Sequence, residues 1–200
     1  RARGSVTRAG ERAPGRERIR RLGILGGSFD PVHAGHLHVA RAAQSAFDLD
    51  HVVFVPAARP PHKPGQRLAS GEHRAAMLRL ALADHPTWSV DTLELERPGP
   101  SYTIDSVRAL PARLGLAPDA ELHLLLGLDN LRGLERWHEA RELLARVQPI
   151  VARRGPADPA LLEHLRRALG PELALRLERG LLPVAPLEVS STAIRAALAA

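Results

Sequence analysis

From Arg21 onward the chain alternates short apolar runs with longer stretches of helical period, and such a pattern leaves few ways to fold. Residues 22–25 (Leu-Gly-Ile-Leu) read as a compact strand ending in Gly26-Gly27. Residues 51–55 are rich in β-branched side chains and stop at Pro56; residues 121–126 end at Gly127; residues 149–152 end at Arg153-Arg154-Gly155. Residues 89–90 with 92–95 read as one or two short strands, and 182–184 as a weaker one. Helical period covers 36–47, 72–84, 103–114, 139–146, 158–169 and 191–199, with Glu72, Ala76, Met77 and Leu80 taken as the stripe of the second. The order predicts an α/β fold, a Rossmann-like doubly wound parallel sheet flanked by helices, in a single domain. Ligands of such sheets bind beyond the carboxyl ends of the strands, which selects loops 26–36, 56–71, 127–137 and 153–157. The second of these is long for a connection, as functional loops often are.

Charge narrows the classes further. The net charge of +6 sits in the first 21 residues, which hold eight arginines against Glu11 and Glu17. The rest of the chain balances 20 basic against 20 acidic residues. Residues 1–20 are therefore expected to form a basic, disordered tail, and residues 21–200 the folded domain. Arg20-Arg21 before an apolar run looks only faintly like an export signal, since Ser28-Phe29-Asp30 cuts that run short. No stretch is apolar for the roughly 18 residues of a membrane span, and no cysteine exists to form a disulfide, a thiolate nucleophile or a Cys zinc site. A cytoplasmic location is expected. Among 28 cations the only lysine is Lys63.

The most informative segment is Gly26-Gly27-Ser28-Phe29-Asp30-Pro31-Val32-His33-Ala34-Gly35-His36. Two glycines after a buried strand let backbone N–H groups approach a ligand, and a helix start offers a positive dipole end to an anion. His33 and His36, three apart, aim two imidazoles at the same place. Glycines, dipole and paired donors point to phosphate. The glycine spacing matches neither the dinucleotide fingerprint nor a P-loop, and His33, His36 and His38 without a nearby carboxylate make a weak metal case.

This segment resembles the signature of the bacterial nicotinate-nucleotide adenylyltransferases, in the His-x-Gly-His nucleotidyltransferase superfamily. Four further blocks resemble that family in order: Pro60-Pro61-His62-Lys63; Arg97-Pro98-Gly99-Pro100-Ser101-Tyr102-Thr103; Gly127-Leu128-Asp129-Asn130 with Trp137-His138; and Val189-Ser190-Ser191-Thr192-Ala193-Ile194-Arg195. The resemblance implies transfer of AMP from ATP to nicotinate mononucleotide, forming nicotinate adenine dinucleotide and pyrophosphate. By the same resemblance His33, His36 and Arg195 are catalytic. ATP is held by Gly26, Gly27, Ser28, Phe29, His36, Gly127, Asp129, Arg154, Ser191, Thr192 and Arg195. The mononucleotide falls to Lys63, Tyr102, Thr103, Asp129 and Trp137, with Trp137 stacking on the pyridine and Trp88 left to the core. Ser190–Thr192 and Thr103 equally suit helix capping, and Asp129 a turn. Mg²⁺ is expected on substrate phosphates, with no protein metal site.

The implied partners are ATP and nicotinate mononucleotide, without membrane or nucleic acid, and with a homo-oligomer left open. Two other readings stand beside this one. One is an adenylyltransferase for nicotinamide mononucleotide or phosphopantetheine; the other is a silent nucleotide-binding domain whose arginine tail binds nucleic acid. The family pattern continues past the last helix, so a shortened C-terminal end is expected at Ala200.

Overall fold

The computed structural model describes residues 19–60, 68–156 and 158–199. Six strands form one parallel sheet: β1 (Arg21–Gly27), β2 (His51–Pro56), β3 (Trp88–Val90), β4 (Glu121–Gly127), β5 (Gln148–Arg153) and β6 (Leu181–Pro183). Their spatial order is β3-β2-β1-β4-β5-β6, the doubly wound order that reverses between β1 and β4. Leu22 lies opposite His51 on one side and Leu122 on the other, so β1 is the central strand. A ligand crevice is therefore expected over Gly26, Gly27 and Gly127, where the chain leaves β1 and β4 toward opposite faces.

Helices cover both faces, which is why the central strands are apolar along their length instead of alternating. On one face Leu22, Ile24, Val53, Leu124 and Leu126 pack with Ile104, Val107 and Leu110 of α4 (Thr103–Leu114) and Leu143 of α5 (Ala140–Arg146). On the other, Leu25, Val52, Phe54, Leu125 and Ile150 meet Ala40 and Ala43 of α1 (Ala34–Ala46) and Leu78 of α2 (Gly71–Ala81). Trp88 is buried in this layer, as expected, with its indole N–H on Gln44. A third cluster, Leu144, Val151, Leu165, Leu169 and Leu177, seats α6 (Pro159–Leu169) and α7 (Pro171–Arg179) against the far end of the sheet. The last helix, α8 (Ser191–Ala199), returns to the crevice. Ile19 already packs on the core, and Arg20 bonds through its N–H to Asp50 and through its carbonyl to Glu121.

Three expectations need correction. Residues 92–95 are not a strand: Leu93–Glu96 forms the short helix α3, because Asp91 Oδ1 accepts the Leu93 N–H at 2.8 Å and turns the chain out of β3. The buried stripe of α2 is not Glu72, Ala76 and Leu80. Arg74, Ala75 and Leu78 face inward, followed by Leu82, while Leu80 is 79% exposed. The spacing 75, 78, 82 is the one that meets the sheet. Helix α7 was not anticipated. Gly170, at φ 96°, breaks it from α6 and Pro171 restarts it. Among the described residues no helix is long and apolar enough to cross a membrane.

Candidate functional site

A cleft of about 280 Å³ opens at the carboxyl ends of β1 and β4, over the sheet's reversal point. One end of it is built from the β1–α1 loop. His33 occupies the N-cap of α1: its Nδ1 accepts the Gly35 N–H at 3.1 Å, and its own N–H donates to His36 Nδ1 at 3.2 Å. The rings lie 3.9 Å apart. Because both Nδ1 atoms accept, the hydrogen-bond pattern assigns each ring's proton to Nε2. Burial, then the positive charge of Arg154, push the His33 imidazole below its usual 6.5. Both effects favour the neutral ring that the cap requires. The helix N–H groups of Gly35 and His36 are taken by His33, through its Nδ1 and its carbonyl. Two of the backbone amides expected to be free at this helix start are therefore bonded internally.

Motif residues around the pair have specific mechanical work. A Cβ on Gly35 would come within 3.0 Å of the His33 ring, so glycine keeps that ring in place. Phe29, buried with φ 48°, packs its ring edge-on to His36 at 5.0 Å. Arg195 of α8 donates to the Asp30 carbonyl oxygen and lies 4.0 Å from the Asp30 carboxylate, and Ser191 Oγ donates to the Pro31 carbonyl at 2.9 Å. The last helix is thereby fastened to the first loop. Ser190 supplies the cap of α8, its Oγ accepting the Ala193 N–H. Below the loop, buried Arg74 donates to the carbonyls of Ser28 at 2.7 Å and Ala69 at 2.9 Å. Burial lowers its pKa, and the Asp30 carboxylate opposes that shift.

The other end of the cleft is walled by Pro60, Ser101, Thr103, Glu94, Asn130 and Trp137. Thr103 is the first residue of α4, whose N-cap, Tyr102, makes no side-chain capping bond. Trp137 follows a short 3-10 turn (Leu134–Arg136) and packs against two of the core clusters. Glu94 is buried and accepts the Ser106 hydroxyl at 2.5 Å. Burial pushes its carboxyl up, while the Ser106 and Ser101 hydroxyls and Arg97 work against that.

Of the residues named from the sequence, Gly26, Gly27, Ser28, Phe29, His36, Thr103, Trp137, Ser191, Thr192 and Arg195 line this one cleft. His33 stacks on His36 and acts through it and through the cap. Arg154, exposed beyond β5, reaches His33 by its charge. Gly127 and Asp129 are exposed and outside the lining, whereas Asn130 of the same turn is part of it. Tyr102 does not line the cleft either: its ring stacks on His138 at 4.2 Å. Lys63 lies outside the described residues. Arg74 and Glu94 escaped the sequence reading. Phasing α2 on Ala75 and Leu78 would have put Arg74 at the core face; Glu94, between two leucines, carried no signal. Among the described residues no group of three His, Asp or Glu is placed to hold a metal ion.

Residues 24–197 match the cytidylyltransferase-like family. A protein of Symbiobacterium thermophilum named "probable nicotinate-nucleotide adenylyltransferase" is 42% identical over 90% of this chain and 84% of its own. One of Roseiflexus castenholzii with the same name is 43% identical over 88% and 84%. Among solved structures, the Plasmodium falciparum nicotinic acid mononucleotide adenylyltransferase complexed with NaAD superposes with a TM-score of 0.67, at 18% identity, over 88% of this chain and 83% of that one. At that identity the likeness concerns the fold.

Proposed function

The chain belongs to the nicotinate-nucleotide adenylyltransferases within the cytidylyltransferase-like family, and from that premise we propose how its switch-point cleft moves AMP from ATP onto nicotinate mononucleotide. An oxygen of the mononucleotide 5′-phosphate attacks the α-phosphorus of ATP. The bond from that phosphorus to the bridging oxygen breaks, and pyrophosphate leaves with the electron pair. The nucleophile is already an anion at neutral pH, so little proton transfer is needed. The obstacle is bringing two anions together and holding the charge that builds on the leaving group.

The observation that carries this reading is the interlocked histidine pair beside Arg195 and Arg154 at the reversal of the sheet. With Nδ1 committed, an imidazole offers Nε2–H as a fixed donor, already oriented before substrate arrives. In this reading His36 donates to an oxygen of the reacting phosphate and Arg195 holds the β,γ end. His33 orients His36 and adds its own donor. Gly26 and Gly27 let the backbone approach the nucleotide. At the opposite end the N-terminus of α4, lacking a side-chain cap, suits the pyridine carboxylate, and Trp137 suits the ring. Around the histidines stand Arg154 and Arg195, the latter 4.0 Å from the Asp30 carboxylate, and these cations with the imidazole N–H groups suit phosphate oxygens. Mg²⁺ in this reading comes with ATP on its phosphates and water, where it neutralises charge.

A substrate panel tests the proposal: pyrophosphate release from ATP and Mg²⁺ with nicotinate mononucleotide, nicotinamide mononucleotide or phosphopantetheine as acceptor. Turnover is expected to be fastest with the first. Faster turnover with either of the others would contradict the assignment of the carboxylate to α4.

A further inference from the structure

We propose that Glu139 is a positioning residue for the acceptor end of the cleft, its fork with Arg108 fastening the turn that carries Trp137 to the helix that opens with Thr103. Trp137 and Thr103 both line the cleft but come from separate pieces of chain. Thr103 is the first residue of α4, and Trp137 follows the 3-10 turn Leu134–Arg136. The residues beside them are joined. The ring of Tyr102, one before Thr103, stacks on the ring of His138, one after Trp137, at 4.2 Å and 24°. Further along α4, Arg108 donates to both carboxylate oxygens of Glu139, at 3.0 and 2.5 Å. Two parallel bonds from a planar guanidinium fix orientation as well as distance. Arg108 also lies 4.0 Å from Asp105 and 3.9 Å from Glu142, and Glu139 lies 3.3 Å from His138 Nε2. The fork thus belongs to a network, which counts for more than an isolated surface pair.

The backbone supplies an independent reason to look for work in this side chain. Glu139 sits in the left-handed region, at φ 49° and ψ 43°. Glycine or asparagine takes that conformation at less cost. Glu139 is also the N-cap of α5, yet its side chain makes no capping bond. Nothing local favours a glutamate here, whereas the reach across to α4 does. The hold passes to Trp137 through the turn itself, because the Trp137 carbonyl accepts the Ala140 N–H at 3.1 Å and brackets Glu139. A turn released from α4 should let the Trp137 ring shift relative to Thr103. The consequence for the acceptor rests on the adenylyltransferase reading, in which that ring and that helix start hold the pyridine; the hold on Trp137 does not.

The test uses Arg108→Gln, which leaves the backbone of the turn untouched, Glu139→Asn, whose side chain suits that backbone but is too short for the fork, and the double variant. Protein carrying ¹⁵N in its tryptophan indoles gives two N–H resonances, one for each tryptophan of the chain. Trp88, in the opposite core layer with its indole N–H on Gln44, is the internal control. In both single variants the Trp137 resonance should shift or broaden while that of Trp88 holds. The mononucleotide KM should rise about fivefold, the scale of one well-placed ion pair, with kcat unchanged. The double variant should be no worse than the more affected single one, because the two side chains act as a unit. The denaturant midpoint of Glu139→Asn should hold or rise, where loss of a merely stabilising residue would lower it. An unmoved Trp137 resonance, movement of both resonances with a lower midpoint, or an unchanged mononucleotide KM in active enzyme would overturn the proposal. If the wild type fails to turn over nicotinate mononucleotide, the functional reading falls and the two resonances still decide the hold on Trp137.

Discussion

The two ends of the cleft are built on different principles. At the phosphate end single groups carry several bonds: His33 caps a helix and orients His36, Arg195 ties α8 to the Asp30 carbonyl, and Arg74 holds two carbonyls of neighbouring segments. At the acceptor end the cleft is made of surfaces, the Trp137 ring and the start of α4. An end whose parts interlock should respond to mutation in kcat or stability. An end made of surfaces should respond in KM.

The largest effect is expected from Arg195→Ala, which deletes a cation from the phosphate end and unfastens α8 together. Loss of about 10²–10³-fold in kcat is expected, the scale of removing one preorganised donor. Lysine, which cannot span both partners with a planar fork, should recover little of it. Retention of full kcat in a steady-state assay would break the comparison. Arg74→Ala comes next and acts on stability. It leaves the Ser28 and Ala69 carbonyls without their donor and takes away one of the two cations beside the Asp30 carboxylate, a loss of roughly 3 kcal/mol by denaturant titration. An unchanged midpoint would mean that the first loop holds itself.

Gly35→Ala sharpens the point with a single methyl group. Pressed within 3.0 Å of the His33 ring, it should turn that ring out of its cap and cost about tenfold in kcat with a modest change in melting temperature, since helix interiors otherwise favour alanine. Trp137→Ala should behave in the opposite way, raising the mononucleotide KM about tenfold while kcat holds, as loss of an aromatic platform should. The smallest effect is on pH. His33 is held below its unfolded value of 6.5, so the unfolded chain binds the proton first as pH falls. Its contribution is complete above the unfolded value and is lost progressively as pH drops through the folded one. Protonation also removes the acceptor that Gly35 uses. Stability and kcat should therefore decline together on acidification below about 6.5, and a His33→Gln variant should flatten the stability profile.

Much of this was legible in the sequence because it lay in local patterns. The strand runs end at Gly26-Gly27, Pro56 and Gly127, close to where the strands end, and the spacing of His33, Gly35 and His36 marks the helix start. What escaped depended on partners distant in sequence or on side chains overriding period. The helical turn at 93–96 followed from the Asp91 carboxylate, against an alternation of leucines that reads as strand. Arg74 looks like any surface arginine until the loop it supports, some 45 residues earlier, is folded over it. Glu94 is unreadable for the same reason, since Ser106 makes it a buried acceptor only once α3 and α4 are packed. That Asn130 lines the cleft and Asp129 does not is a matter of phase within a single 3-10 turn (Leu128–Leu131).

The central claim, that an interlocked imidazole pair at the sheet's reversal point stabilises adenylyl transfer, is tested most directly in a single turnover. Enzyme in excess, α-phosphate-labelled ATP and nicotinate mononucleotide would be mixed, and label followed into the dinucleotide for the wild type and His36→Ala. The account predicts a chemical step slowed about 10²–10³-fold in the variant with ATP affinity little changed, because the donor is realised in the transition state. An equally fast step in His36→Ala, or a loss wholly explained by weaker ATP binding, would contradict it.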